Sequence, residues 1–559
     1  MIAVRYHDST KHHFNRFARS LGYLDWATQP DPFRRYAGAP LRALSHEPLA
    51  GDVPYAALFT AGGPTRPITD HAIGEFLRCS MGLSAWKQYG QSRWALRVNP
   101  SSGNLHPTEA WIVQGGRVSH YAPREHALED RCVFESSVGP SPNPDAGETA
   151  DQFLVALTSI IWREAWKYGE RAFRYCQHDT GHAIGALRLS AAMLGWHLRL
   201  LPEWSDAQMA ALLGLDREED FGEAEREEAE CIALVSRPGF GIRLVPSAVE
   251  GDSGFDPEVL VEAARSGSWS GRANRLSPGI VDWPIIDEAA VVTRYPGRGG
   301  ELPNPEPPNP EPPNPEPRTT EPRTTEAPAA RTLILQRRSA LAFDPRGMLA
   351  HEAFLSMLAR LRPGAAPGSP SRTPARWGGP PWDAIDWPPH VHLVLFVHRV
   401  EDVTPGIYAY LRDPAVLDEW KARMRPEFLW EAKAKEPLFL LVPIDAGRIA
   451  NRVSCDQDIA GDGFFALAMM ARFEQPLAER GEWFYRRLFW ECGLIGQVLY
   501  LEAEAAGGRA TGIGCYYDDP VHDLLGLSGH AWQSLYHFSM GLPVEDTRLT
   551  SEPGYDWEG

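Results

Sequence analysis

A constant shift of 312 residues relates two long stretches of this 559-residue chain. The paired positions carry the same residue in several places: Arg174 and Arg486, Gly181 and Gly493, Leu189 and Leu501, Gly195 and Gly507, Asp206 and Asp518, and Leu212-Leu-Gly-Leu215 with Leu524-Leu-Gly-Leu527. The register runs through this stretch without a gap. It predicts an internal duplication, in which two copies of a self-pairing fold share one chain.

A proline-rich segment separates the two copies. Residues 301–328 repeat the unit Pro-Asn-Pro-Glu-Pro and then carry Arg-Thr-Thr-Glu twice. Proline lacks an N–H donor and fixes φ, which favours an extended, solvated polyproline-II spacer. We therefore predict an irregular N-terminal arm at 1–60, a first domain at 61–245, a connector at 246–300, this linker, and a second domain at 329–559.

Composition restricts the partners and the compartment. The formal net charge of −18 argues against nucleic acid or an anionic membrane as a partner, because both select a basic surface. The N-terminus has no apolar signal region, and apolar runs such as 438–442 are too short to cross a bilayer, so we expect a cytoplasmic protein. Seven cysteines without a Cys-x-x-Cys spacing indicate reduced thiols.

Hydrophobic spacing predicts the elements of each copy. In the first copy it predicts a helix over 69–81, a strand at 110–113, two long helices over 151–195 and a buried strand at 231–235. In the second copy it predicts helices at 349–361, 459–473 and 485–507, with strands at 391–397 and 534–540.

A compact polar loop precedes the strand at 110–113. It contains Pro100, Ser101, Ser102, a glycine and Asn104. Small side chains and hydroxyl groups let a backbone approach a flat or phosphorylated ligand, and the strand behind would fix the loop in place. An ordinary tight loop is the alternative interpretation of the same residues.

This loop, followed by a proline, an acid and an aromatic strand, resembles the flavin-contacting loop of the nitroreductase superfamily. The resemblance is strongest to the branch of SagB-type and thiazoline-oxidase dehydrogenases. It implies an α+β fold with a central, mostly antiparallel sheet flanked by helices. In this superfamily two subunits share each FMN, so the two tandem domains would form a pseudo-dimer within one chain.

The second copy opens with Arg337, Arg338 and Ser339. Guanidinium forks match the oxygens of a phosphate, and a hydroxyl adds a donor, although a solvated surface patch is the common alternative. These residues resemble the Arg-Arg-Ser that grips the FMN phosphate in nitroreductases, and Arg548 resembles their C-terminal phosphate arginine. Leu341 stands where the family often has a further basic residue, so either another cation such as Arg97 or Arg338 would stabilise the reduced flavin, or the bound flavin would be a poor electron acceptor.

Gly512, Ile513 and Gly514 follow the last long helix. In the resembling family this segment offers a backbone N–H to flavin N5, which makes Gly514 the expected catalytic donor, with Cys515 and Tyr516 on the substrate side. For Cys515 a buried structural thiol is the favoured alternative. At the 312-residue shift, Pro202 lies opposite Gly514 and has no N–H.

The two copies therefore differ in a complementary way. The phosphate-binding arginines and the glycine segment occur in the second copy, and the polar loop occurs in the first. This pattern predicts one FMN site per chain, at the interface of the two halves of a monomer.

The resulting hypothesis is an FMN-dependent oxidoreductase that transfers hydride at flavin N5, with NAD(P)H as a possible transient electron donor and a small molecule or peptide-derived compound as the substrate. A non-catalytic scaffold that binds a peptide or a biosynthetic partner is the alternative. We expect no metal site, because His178 and His182 share a helix face without a third ligand nearby in the sequence.

Overall fold

The computed structural model describes residues 1–60, 63–135, 150–238, 256–297, 328–364, 378–433 and 437–558. The predicted linker therefore lies outside the described residues except for Pro328. The chain contains two halves of mixed helix and strand, each built on one large sheet.

The first half runs to residue 297. Its elements are α1 (Ile2–Ser9), β1 (Tyr36–Ala37), β2 (Leu41–Ala43), α2 (Asp70–Arg78), β3 (Leu83–Tyr89), β4 (Ser92–Arg97), β5 (Thr108–Gln114), β6 (Arg117–Ala122), β7 (Ala127–Val133), β8 (Gln152–Ser159), α3 (Ile161–Tyr168), α4 (Ala172–Met193), β9 (His197–Leu200), α5 (Asp206–Leu213), α6 (Glu218–Phe221), β10 (Glu228–Ser236), α7 (Pro257–Arg265), β11 (Ser268–Trp269), β12 (Arg272–Ala273) and α8 (Pro284–Val292).

The second half begins at residue 328. Its elements are α9 (Ala330–Gln336), α10 (His351–Arg360), β13 (Val391–Val397), β14 (Gly406–Tyr410), α11 (Leu417–Arg423), β15 (Glu431–Lys433), β16 (Leu438–Pro443), α12 (Gly447–Val453), α13 (Ile459–Asp462), β17 (Phe465–Arg472), α14 (Glu474–Arg480), α15 (Phe484–Ala505), β18 (Arg509–Ile513), α16 (Asp518–Leu525), β19 (Trp532–Gly541) and β20 (Thr550–Pro553).

The two large sheets repeat one strand order. The first contains β7-β6-β5-β8-β10-β9, and the second contains β16-β14-β13-β17-β19-β18. Every pairing along both paths is antiparallel. The duplication predicted from the 312-residue register is confirmed, and so is the α+β class with a central antiparallel sheet.

The long helices α4 and α15 pack against each other at the centre of the molecule. A Cβ atom added to Gly181 would collide with the carbonyl oxygen of Trp490, and one added to Gly493 would collide with that of His178. His178 and Trp490 are themselves related by the 312-residue shift. Both glycines therefore allow a close, nearly symmetric helix crossing, which makes the two halves an intrachain pseudo-dimer.

Two buried ion pairs repeat this symmetry across the interface. Arg174 Nη1 lies 2.7 Å from Asp518 Oδ1, and Arg486 Nη1 lies 3.6 Å from Asp206 Oδ2. Each arginine belongs to one half and each aspartate to the other, so both pairs bridge the halves. Burial makes such pairs costly to break, because the remaining charge would lack a partner.

Threonines that directly follow α1 and α8 accept hydrogen bonds from these arginines in equivalent ways. Arg174 Nε donates to Thr10 Oγ1 at 2.9 Å, just after α1. Arg486 Nε donates to Thr293 Oγ1 at 3.0 Å, just after α8. The predicted irregular arm therefore begins with an ordered helix, and part of the predicted connector packs at the interface.

The C-terminal segment of the second half crosses onto the first. Strand β20 pairs with β3 of the β3–β4 hairpin. Tyr555 follows it into a small apolar cluster with Phe33, Leu83 and Ala95. The second half thus extends its C-terminal segment onto the first, in addition to the shared helix interface.

Two helix predictions from the sequence were wrong in part. In each half, the misassigned residues form the equivalent strand of the sheet. The start of the 151–195 prediction is β8, and most of the 459–473 prediction is β17. Both strands lie inside their sheets with strands on either side. Alanine, leucine and methionine in β17 favour helix intrinsically, but burial between layers overrides that preference. Among the described residues no helix is long and apolar enough to cross a membrane.

Candidate functional site

The polar loop of the first half lies against α4. The backbone N–H of Ser102 donates to Asp179 Oδ1 at 3.1 Å, and its hydroxyl donates to the same oxygen at 3.2 Å. Ser101 Oγ accepts the N–H of His106 at 2.8 Å, and the Asn104 amide donates to the carbonyl of Ala95. These bonds hold the loop rigidly between β4 and β5.

The two arginines of the second half meet the chain just before that loop. Arg337 Nη2 donates to the carbonyl oxygens of Arg97 and Val98, both at 3.1 Å. Arg338 Nη2 donates to the carbonyl of Ser84 at 2.8 Å. The arginine motif of the second half therefore contacts the first half directly, with Arg337 bound to the carbonyl of Val98, two residues before Pro100.

Neither guanidinium is bonded to a carboxylate in the part of the chain that the structure describes. Arg337 is 4% exposed, and its Nε has no hydrogen-bond partner in the structure. Burial lowers the pKa of Arg337, and burial together with Arg337 lowers the pKa of Arg338 to about 10. Two adjacent cations in a shielded place favour an anion between or beside them.

A chain of polar contacts runs from the arginine motif to the glycine segment. Ser339 Oγ lies 3.0 Å from Tyr500 Oη, which accepts the N–H of Gly512 at 2.9 Å. The hydroxyl of Tyr536 lies so close to Gly512 that no side chain would fit there. The neighbouring tyrosines thus require a glycine at position 512, and the N–H of Gly512 already donates a hydrogen bond.

Gly514 is fixed through its carbonyl oxygen, which accepts hydrogen bonds from Tyr175 Oη at 3.1 Å and Arg171 Nη2 at 3.3 Å. A Cβ at Gly514 would lie 2.5 Å from the Tyr175 ring. Ile513 is buried at the end of β18 and anchors the segment. The main chain at Gly514 is therefore held in a defined orientation beside α4.

The two residues after Gly514 differ in their surroundings. Cys515 is half-buried, with its sulfur 2.8 Å from the sulfur of Cys455, so it is not the buried structural thiol that the sequence favoured. Tyr516 is fully buried, donates to the carbonyl of Ser534 and stacks on His537. Its place on the substrate side is contradicted, because packing directs its ring into the core.

Arg548 and Leu341 lie away from these contacts. Arg548 pairs with Asp546 at 2.7 Å in an exposed position, near Tyr89 at the far end of β3 from Ser84. Arg509 instead is the further cation whose charge lowers the pKa of both Arg337 and Arg338. The Leu341 side chain is 71% exposed, so it does not line the cleft.

The structure places further residues, which the sequence did not indicate, against the loop and the glycine segment. A Cβ at Gly103 would lie 2.5 Å from Tyr168 Oη and 3.1 Å from Lys167 Nζ, so the end of α3 covers the loop. On α4, Tyr175 and Asp179 contact the glycine segment and the loop respectively. Their spacing of four residues places them on one helix face, and that periodicity was the available signal.

His178 and His182 act as interface side chains. His178 Nε2 contacts the carbonyl of Leu535 at 2.9 Å, and its ring stacks on Tyr536 with centroids 4.0 Å apart. His182 Nε2 lies 3.3 Å from the Tyr536 hydroxyl. Burial lowers the pKa of both imidazoles, which keeps them neutral.

The pseudo-symmetric position in the other half holds a small cavity that is partly open to solvent. Pro202 lies there and is equivalent to Gly514 by the 312-residue shift. Trp387 lies four residues before β13, as Asn104 lies four residues before β5. Arg487, related to Tyr175 by the 312-residue shift, lies 4.0 Å above the Trp490 ring. Bulky aromatic groups have replaced the polar loop at this position.

Comparison with known proteins decides the family. The model of the nitroreductase family matches residues 64–222 and again residues 334–542. The chain belongs to the nitroreductase family. Two matches in one chain also agree with the repeated strand order of the two sheets.

Solved structures agree with this family membership. A putative nitroreductase from Anabaena variabilis ATCC 29413 superposes with a TM-score of 0.61 at 19% identity, over 97% of this chain and 99% of that chain. That likeness shows the same two-copy fold.

Two further solved structures match about a third to two fifths of the chain. A putative nitroreductase in complex with FMN from Exiguobacterium sibiricum 255-15 has a TM-score of 0.23 at 14% identity, over 41% of this chain and 92% of that chain. The E. coli microcin synthetase McbBCD complex with truncated pro-MccB17 bound has a TM-score of 0.24 at 18% identity, over 34% of this chain and 70% of that chain. Curated proteins give no match to this sequence.

Proposed function

We propose that this nitroreductase-family protein is an FMN-dependent oxidoreductase with one flavin between its two halves. In this proposal hydride moves at flavin N5, the substrate is a small molecule or a peptide-derived compound, and NAD(P)H is a candidate transient electron donor. The resemblance to SagB-type dehydrogenases supports a peptide-derived substrate.

The observation that carries the proposal is the pair of guanidinium groups at the interface. Arg337 and Arg338 bind backbone carbonyl oxygens, and Arg337 Nε keeps an unused donor although it is buried. Burying a donor without an acceptor is costly, so the arrangement suits an anionic group that would accept from it. A flavin phosphate fits that requirement, and Ser339 adds a hydroxyl beside it.

The other residues divide the remaining tasks. The loop with Pro100, Ser101, Ser102 and Asn104 would contact the ring system from the first half, with its position set by Asp179. Gly514 would present its N–H to N5, since Tyr175 and Arg171 hold its carbonyl. The two cations suggested for the reduced flavin, Arg97 and Arg338, both already donate to backbone carbonyl oxygens, so these contacts do not single out either for that role.

When bound, FMN would supply a two-electron acceptor, and the chain would supply proton transfer and orientation. Tyr168 Oη lies over the loop at Gly103, so its hydroxyl can donate a proton to, or accept one from, a substrate in the cleft. Lys167 Nζ lies 5.2 Å from the Tyr168 ring centroid and adds a positive charge beside it.

The visible spectrum of the purified full-length protein tests the proposal. We expect absorption bands of oxidised flavin and release of FMN on denaturation, identified by mass spectrometry. The double substitution Arg337→Ala with Arg338→Ala should weaken FMN binding by at least 100-fold in a titration. Each tenfold weakening corresponds to about 1.4 kcal/mol of binding free energy, which is readily lost when charge-assisted contacts to the phosphate are removed.

Arg548→Ala is the matched control, because this exposed arginine already pairs with Asp546. It should bind FMN as the unaltered protein does. A colourless protein that takes up no added FMN would contradict the proposal and favour the scaffold alternative. Equal FMN loss in both variants would contradict the assignment of the phosphate site to Arg337 and Arg338.

A further inference from the structure

Two cysteines and a histidine from three distant segments meet next to Gly514. Cys515 Sγ lies 2.8 Å from Cys455 Sγ and 3.8 Å from His12 Nδ1. The ligand atoms of all three residues lie within 4.8 Å of one another. His12 comes from the N-terminal arm of the first half, and both cysteines come from the second half, so the cluster spans the interface.

The backbone is shaped to bring the two sulfurs together. Cys455 and Asp456 both have φ of 56°, a left-handed conformation that is unfavourable for residues other than glycine. Gln457 Nε2 donates to the carbonyl of Cys515 at 2.9 Å and to that of Ser454 at 2.8 Å, which ties the two segments to each other. Such strain persists where surrounding contacts impose it, and it often marks functional sites.

These two cysteines also differ from the other five in access and chemistry. Cys455 and Cys515 are half-buried, whereas Cys79, Cys132, Cys176, Cys231 and Cys492 are buried. Contact with the Cys455 thiol, followed by His12, lowers the pKa of Cys515, and the same contact raises the pKa of Cys455. Burial lowers the pKa of His12, so its imidazole is a neutral base beside a thiol that ionises readily.

We propose that Cys515 and Cys455 form a redox-active dithiol that exchanges with low-molecular-weight disulfides, with Cys515 as the attacking thiol and Cys455 as the resolving thiol. His12 is the base that accepts the proton of the Cys515 thiol. The cluster adjoins Gly514, the residue proposed to face flavin N5, but thiol–disulfide exchange does not use the flavin and so does not depend on the proposed function.

The exchange proceeds in two balanced steps. The Cys515 thiolate attacks one sulfur of a substrate disulfide, forming a mixed disulfide and releasing one thiolate, which takes a proton. Cys455 then loses its proton and attacks Cys515 Sγ, forming the Cys455–Cys515 disulfide and releasing the second thiol. The protein dithiol has lost two electrons and two protons, and the substrate disulfide has become two thiols.

Glutathione buffers test this inference on the full-length protein. Samples equilibrated at a range of reduced-to-oxidised glutathione ratios are quenched in acid, alkylated, digested and analysed by mass spectrometry. We expect a cross-linked peptide pair containing Cys455 and Cys515 that rises with oxidised glutathione in one reversible transition. The five buried cysteines should remain unmodified thiols, and Cys132→Ser should leave the transition unchanged.

Single substitutions assign the two roles. Cys455→Ser should stop at a glutathione adduct on Cys515, because no second thiol can resolve it. Cys515→Ser should leave Cys455 free of adduct, and His12→Asn should slow alkylation of Cys515 at neutral pH by several-fold. Circular dichroism of each variant checks that it is folded, and the unaltered protein gives the cross-link result without any substitution.

Two results would overturn the inference. One is the absence of both cross-link and adduct at every glutathione ratio. The other is one equivalent of zinc in the purified protein that is lost in Cys515→Ser, which would make the cluster a metal site. The visible spectrum of the same sample reports flavin separately, so a colourless protein that forms the cross-link would contradict only the proposed function.

Discussion

At the scale of single residues, two buried carboxyl groups lie behind the loop of the candidate site. Asp179 accepts two hydrogen bonds from Ser102, and Glu164 is a second fully buried carboxyl group that senses the charge of Asp179. Burial raises the pKa of Asp179 to about 7, and burial with the charge of Asp179 raises that of Glu164. The loop is therefore supported by acids that tend to keep their protons.

Asp179→Asn should change how stability depends on pH. Between about pH 4 and pH 7, the folded protein retains a proton on Asp179 that the unfolded chain has released. The free energy of unfolding of the unaltered protein should therefore fall as pH rises, by about 1.4 kcal/mol per pH unit from this group. The asparagine variant lacks that contribution, and urea unfolding of both proteins across this pH range measures the difference.

The difference between the two proteins is the informative quantity, because Asp206 also has a pKa raised by burial, to about 6, and titrates in the same range in both. We expect the difference to grow in favour of the variant from pH 4 to pH 7 and then to stay level. A difference that does not change with pH would show that Asp179 is ionised throughout.

At the scale of elements, the crossing of α4 and α15 determines how closely the two halves approach. The glycines at this crossing face backbone carbonyl atoms of the opposite helix, which cannot move aside as a flexible side chain can. Every residue of α4 is buried, so the helix has no solvent-facing side to which strain could be transferred. Residues of both helices contact the candidate site segments: Tyr175 and Asp179 from α4, and Tyr500 from α15.

Gly181→Ala and Gly493→Ala should each destabilise the protein by about 1–3 kcal/mol, because the added methyl group forces the helices apart. Thermal or urea unfolding measures the loss. Gly447→Ala is the matched control in helix α12, where the nearest atom would lie 3.4 Å from the new Cβ. Equal stability of all three variants would contradict the close crossing.

At the scale of the whole molecule, the halves are held by contacts that do not require a covalent connection. They share the α4–α15 interface and the two bridging ion pairs, and β20 of the second half pairs with β3 of the first. The arrangement resembles a dimer whose subunits have been joined in sequence. In the proposed function, each half carries different parts of one site.

Cutting the chain between the halves should therefore leave them together. A protease recognition sequence placed within residues 305–320 allows cleavage of the folded protein, and gel filtration of the product measures its size. We expect both fragments to co-elute at the volume of the uncut protein, since the buried interface remains intact. Separate elution of two fragments under native conditions would show that the linker is what holds the halves.

Much of the architecture could be predicted from the sequence because it depends on local or repeated patterns. The 312-residue register predicted the duplication, and the spacing of apolar residues placed α4, α15, β5 and β13. The arginine motif near 337 contacts the chain just before the loop near 100, and a shared flavin site there stays a prediction. The register also pairs Gly181 with Gly493, although the sequence alone does not show that both lie at the helix crossing.

Other features were decided only by the tertiary structure. Strands β8 and β17 have apolar sequences that suit a buried helix as well as a strand, and their position between neighbouring strands selects one of them. Tyr536 against Gly512, and Cys455 against Cys515, meet because the chain folds back over long separations. Sequence spacing determines what one helix or strand presents on each face, whereas contacts between distant segments depend on how those faces pack.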